Sequence, residues 1–229
     1  MKINSITSRK RMSSETTSAR ASPFMRRRWT LEIAGAGIFI ALSAVISAIT
    51  TPILPRVPYW GIAILDPISA VWITCFLIFG WRSGFLCLGG GSLLLFFWDP
   101  TGIGPFFKFF ATLPFILVPT LVYYLGKKMG KTEVPMRAWI FNVKTYSWTM
   151  IAAYGLRIVL MIFCNFVVFA TIYAPYLQLA TLAFFGLPQI TAWDAVIFMA
   201  IIINSWQTVF DVVVPYLITF KIGPKYMVF

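Results

Sequence analysis

Residues 147–172 read SWTMIAAYGLRIVLMIFCNFVVFATI, a run of 26 residues whose only charge is Arg157. As a helix at 1.5 Å per residue it would be about 39 Å long, and roughly 20 apolar residues suffice to cross a bilayer core. The whole chain follows the same pattern. It has 229 residues, 59% of them hydrophobic and only 11% charged, and its mean hydropathy is +0.83. Soluble domains carry about 25% charged residues, and large exposed apolar patches drive association. The composition argues against a soluble enzyme, a disulfide-rich secreted fold and a disordered chain.

Working outward from that run, the sequence predicts an all-α integral membrane bundle of six transmembrane helices, at 33–53, 66–80, 83–98, 106–125, 147–172 and 193–220. The second and third are short for spans, so tilt or local thinning of the bilayer is expected. Pro52, Pro55 and Pro58 force an extended loop after the first helix, and Pro67 suits a first helical turn. Pro114 and Pro119 are expected to bend the fourth helix. Residues 173–192 contain no Lys, Arg, Asp or Glu, and 177–187 within them is read as a short helix at the membrane surface. Two domains result: a basic cytoplasmic tail at 1–30, read as disordered, and a six-helix substrate-binding domain at 31–229.

The net charge of +12, from 19 Lys+Arg against 7 Asp+Glu, lies between the apolar runs. Topology and anionic headgroups account for that pattern better than nucleic acid does. With the N-terminus inside, 16 of the 19 basic residues fall on the cytoplasmic side. Arg56 and Lys108 fall outside, and Arg157 lies within a span. The positive-inside rule makes both termini cytoplasmic and the chain a multi-pass protein of the cell membrane. No internal repeat is visible, which weighs against an inverted-repeat transporter.

What is missing narrows the chemistry. There is no histidine, hence no histidine-based acid–base catalysis and no His metal ligand. Cys75, Cys87 and Cys164 lie in apolar runs without metal-ligand or disulfide spacing and read as packed residues. A phosphate-binding Gly-rich loop is absent, so the chain does not hydrolyse ATP itself. With no clustered carboxylates and no nucleophile–base pair, the sequence is read as a non-enzyme without cofactor or metal.

The residues that carry information are polar or small. Gly37, Ala41, Ala44 and Ala48 share one face of helix 33–53, suited either to internal packing or to a partner helix. Arg157 and Asp211 come to the same depth on antiparallel helices, which predicts an ion pair, structural or substrate-gated. Asn165 and Asn204 share a depth nearer the outer surface, and Gln207 falls on the face of Asn204. Three amides at one level can bind a flat neutral ligand or merely join helices. Tyr59, Trp60, Ile64 and Leu65, after the first helix, could cover an aromatic ligand or form an interfacial belt.

Over residues 33–222 the chain resembles the substrate-binding S component of energy-coupling factor (ECF) vitamin transporters, most of all the riboflavin-binding branch. Three stretches carry the likeness. One is 62–80, with its aliphatic-Leu-Asp entry into a short helix. Another is Asp99-Pro100-Thr101-Gly102 through Lys108 and Phe109. The third is Arg157-Ile158-Val159-Leu160-Met161 through Asn165 to Tyr173.

The resemblance implies a subunit that binds a vitamin, a flavin or a relative, from outside. The Gly37 face would dock on a transmembrane coupling subunit, and two ATPase subunits would supply energy. Asn165 and Asn204 would match the family's ligand-binding asparagines. The chain departs from the branch at Gln207, where the branch carries Lys. That loses a cation, keeps a donor and adds an acceptor.

Overall fold

A computed structural model describes residues 23–58, 60–99 and 101–222, with side chains from residue 29 to 221. Tyr59 and all but the last eight residues of the expected tail lie outside the described residues. The described part contains seven α-helices: α1 Pro23–Ile53, α2 Ile68–Phe79, α3 Trp81–Leu95, α4 Ile103–Lys128, α5 Met136–Ile140, α6 Val143–Thr171 and α7 Ala192–Tyr216. A π-helical turn, Leu217–Ile222, extends α7. The first helix starts at Pro23, within the residues read from sequence as tail.

The expectation of six spans is corrected. Among the described residues four helices are long and apolar enough to cross a membrane, at Trp29–Ile53, Ile103–Lys128, Val143–Thr171 and Ala192–Lys221. Helix α2 has 12 residues and α3 has 15, about 18 and 22 Å of helix against a hydrocarbon core of about 30 Å. Gly80, at φ 98°, splits the apolar run 68–95 into these two pieces. An apolar helix of about 10–14 residues is the usual size of a buried core helix, and α2 fills that role. Nine of its residues are buried, including Trp72, Ile73 and Cys75 at zero exposure. The chain is a multi-pass membrane protein whose spans wrap a short central helix.

Glycine and serine set the close approaches around α2. A Cβ on Gly91 of α3 would stand 2.5 Å from the Trp72 indole, and one on Gly84 would stand 2.7 Å from Phe76. On α1, Gly35 meets the Phe79 ring, while Ala36, Ser43 and Ser47 are buried. Ser83 Oγ donates to the Glu32 carbonyl at 2.9 Å, which fixes the α2–α3 turn against the N-terminal half of α1. Helix α4 runs unbroken through Pro114 and Pro119.

The two ends of the bundle differ. One end collects rings and cations. Arg82 lies over Trp29 with 4.1 Å to the ring centroid, Trp81 meets Tyr124, and Phe141 stacks on Phe220. Lys127, Lys128, Lys131 and Lys144 are exposed there. The other end is roofed by residues 54–66 and 173–191. The second segment is not the expected surface helix. It is a 3₁₀ turn, Ala174–Leu179, then a small antiparallel hairpin of β1 Thr181–Leu182 and β2 Leu187–Thr191, turned at Gly186 with φ 76°. Pro175 and Pro188 flanking Gly186 disfavour continuous helix there.

Candidate functional site

Arg157 sits in the middle of α6 at zero exposure, and Asp211 of α7 is 1% exposed. Arg157 Nη1 is 2.6 Å from Asp211 Oδ2, within an ion pair buried between the two spans. The guanidinium is also shared. Its Nε donates to Asn204 Oδ1 at 2.8 Å and its Nη2 to Gln207 Oε1 at 3.1 Å. The Phe115 ring of α4 lies 5.5 Å from the guanidinium carbon. Asn204, Gln207 and Asp211 fall three to four residues apart, so one face of α7 presents three acceptors to one planar fork. This is how a charge is tolerated at such a depth, because an uncompensated one is costly there. Asp211 Oδ1 is buried and accepts no hydrogen bond.

The amide nitrogens point elsewhere. Asn204 Nδ2 donates to Ala200 O of its own helix at 2.8 Å. Gln207 Nε2 donates to the Ala63 carbonyl at 2.8 Å and so ties the roof to the charge cluster. Asn165 does not join them: its Nδ2 donates to Met161 O, one turn back on α6. The sequence arithmetic put Asn165 and Asn204 at a common depth, but depth along the membrane normal leaves the direction each side chain faces undecided.

A second pair lies nearer the roof. Lys108 Nζ of α4 is 2.7 Å from Asp66 Oδ2, and Asp66 Oδ1 accepts from the Ile68 amide at the start of α2. Ser69 and Thr112 hydroxyls meet at 2.9 Å just beyond it. Sequence reasoning did not pair Lys108 with Asp66. The available signal was that Asp66 lies just before α2 and Lys108 in the second turn of α4, two helices that start at the same end.

Of the described residues expected to cover a ligand, Trp60 and Ile64 are packed into the roof. Trp60 Nε1 donates to Thr181 O at 3.1 Å, and its ring lies 5.9 Å from Phe169. Trp60 and Ile64 pack with Val57, Leu182, Val196 and Met199. Leu65 borders a cavity of about 50 Å³ shared with Thr50, Arg56, Asp66 and Ile68, room for one or two waters. A larger apolar groove of about 450 Å³ lies between α6 and α7, lined by Val159, Phe163, Phe166 and Trp193 among others.

The Gly37, Ala41, Ala44 and Ala48 face of α1 points away from the bundle. Gly37, Ala41 and Ala48 are exposed, Ala44 is half-buried, and nothing stands within 4 Å of a Cβ placed on Gly37. Internal packing uses the other small face, Gly35, Ala36, Ser43 and Ser47. Cys75, Cys87 and Cys164 are buried and free.

No family model, no curated protein and no solved structure matches the chain.

Proposed function

We propose that this multi-pass membrane protein is the substrate-binding subunit of an ATP-driven importer, taking a small vitamin-like molecule, a flavin or a relative, from outside. The observation that carries the reading is the coupling of roof to interior. Residues 54–66 and 173–191 close over the outer end and are joined to each other through Trp60 and Thr181. Through Gln207 and Ala63 they are also tied to a buried hydrogen-bonding cluster. Drug-sized ligands occupy pockets of about 300–1,000 Å³, and the cavity beside Leu65 and Asp66 holds only about 50 Å³, so admission at that end requires the roof to lift. Lifting it frees Gln207 and uncovers Asn204. Asn165, Asn204 and Gln207 then orient the ligand's polar edges, and Tyr59, Trp60, Ile64 and Leu65 cover its face. The outward small-residue face of α1 is the surface for a transmembrane coupling subunit, which brings two ATPase subunits.

One observation favours a second reading, a membrane scaffold without transport. The oxygens of Asn204 and Gln207 are already used by Arg157, so the amides act there as interhelical ties. The two readings separate in one experiment. The chain is purified in mild detergent, denatured, and the released small molecules are identified by mass spectrometry and flavin fluorescence. A stoichiometric flavin supports the importer subunit, and a different stoichiometric vitamin redirects the substrate alone. A folded chain that releases nothing and ignores an added vitamin panel supports the scaffold.

A further inference from the structure

The roof segment 173–191 has two apolar sides. Its inner side is accounted for: Ala180 is buried and Leu182 has zero exposure, against Ala195, Val196 and Met199 of α7. Its outer side is not. Leu179 is 71% exposed, Tyr176 59% and Phe184 52%. These side chains stand on a segment without a single Lys, Arg, Asp or Glu. A water-facing loop between two helices would ordinarily be polar.

The segment leaves one span at Thr171 and enters the next at Ala192, both helices being long enough to cross the membrane. Its position at the boundary of the bilayer is therefore set by its two ends. Apolar surface also lies on the spans at the end where the segment joins them: the groove between α6 and α7 includes Trp193, two residues after the segment, which stacks on Phe166 with centroids 5.0 Å apart, and it extends to Val159.

We infer that residues 173–191 are seated in the lipid interface at the roof end of the bundle, with Tyr176, Leu179 and Phe184 among the headgroups and upper acyl chains. The occupant of this face is lipid because the segment is uncharged, amphipathic aromatic rings favour that layer, and both its ends run directly into membrane-length apolar helices. The roof is thus a flap held from two sides, by Trp60 and Gln207 from within the protein and by the membrane from outside. The inference stands whatever ligand the interior takes.

The test uses the full chain in phosphatidylcholine nanodiscs, where an aqueous quencher reaches both faces. Leu179→Cys and Phe184→Cys are each labelled with an environment-sensitive thiol dye. Lys131→Cys, in the exposed turn after α4, serves as the aqueous control, and the parent chain with its three buried cysteines is the labelling blank. Both positions are exposed, so neither substitution opens the core. Seating about 5–10 Å into the boundary predicts iodide quenching roughly fivefold weaker at 179 and 184 than at 131, together with strong quenching by lipids brominated high on the chain. Iodide quenching equal to that at 131 overturns the inference. So does protection from iodide without quenching by brominated lipid, which would mean that another part of the chain or a second copy of it covers the face.

Discussion

Gln207 holds the backbone of residue 63 to the charge cluster of the membrane interior: its Nε2 donates to the Ala63 carbonyl at 2.8 Å while its Oε1 accepts from Arg157 at 3.1 Å. A single neutral side chain thus connects a loop outside the spans to an ion pair inside them. The amide does both at once, donating from its nitrogen and accepting at its oxygen, which neither a lysine nor an ionised glutamate could do.

Gln207→Leu therefore removes both contacts at nearly constant volume. The Ala63 carbonyl and one Arg157 N–H lose their partners, and the expected loss of stability is about 1–3 kcal/mol. Hydrogen exchange should rise at the amides of 61–66 and stay unchanged in the α2 interior. Gln207→Lys is expected to be worse, because it places a cation against Arg157. Equal exchange in the loop of Gln207→Leu and the parent would show that the latch does not hold the roof.

Asp211→Asn leaves Arg157 with neutral partners only. Removing one member of a buried pair costs about 3–5 kcal/mol, whereas replacing both by apolar groups can be neutral. Reversible unfolding in mixed micelles should show a large loss for Asp211→Asn and a smaller one for Arg157→Met combined with Asp211→Leu. Asp66→Asn, at a pair with 9% and 23% side-chain exposure, should cost less than Asp211→Asn.

Gly91 and Gly89 lie two residues apart in α3 and should behave oppositely. A methyl on Gly91 collides with the Trp72 indole, while nothing stands within 4 Å of one on Gly89. Gly91→Ala should lose about 1–3 kcal/mol by overpacking, with partial rescue by Trp72→Phe. Gly89→Ala should be neutral or slightly stabilising, because alanine is the better helix former. Thermal unfolding of the three variants in one detergent decides it.

The same contrast divides α1. Gly35→Leu drives a side chain into Phe79 and should lower the midpoint of thermal unfolding of the isolated chain. Gly37→Leu points into open space and should leave that midpoint unchanged while weakening assembly with a coupling subunit. If Gly37→Leu left assembly intact in a co-purification, the outward face would not be the docking surface.

A ligand test falls on Asn165. Asn165→Ala should weaken binding of the identified molecule by about 1–3 kcal/mol if the amide meets a buried polar edge. Titration of the folded variant measures this. Unchanged affinity removes Asn165 from the site and leaves Asn204 and Gln207 to carry recognition.

The membrane character of the chain, its long apolar helices and the common depth of Arg157 and Asp211 were all readable in the linear order of residues. Each depends on quantities local to one run: its apolar length, its rise per residue, its spacing of charges. The number of spans was not readable in that way. Residues 68–79 are as apolar as any span; their shortness was legible, but their burial as a core helix depends on the packing of α1, α3, α4 and α7 around them. The two small-residue faces of α1 look alike in sequence, yet Gly35 faces Phe79 and Gly37 faces outward. The shared use of Arg157 by Asn204, Gln207 and Asp211 was likewise decided by tertiary structure. A helix fixes the height of a side chain, while its azimuth against the neighbours, and so its partner, is set by how the whole bundle packs.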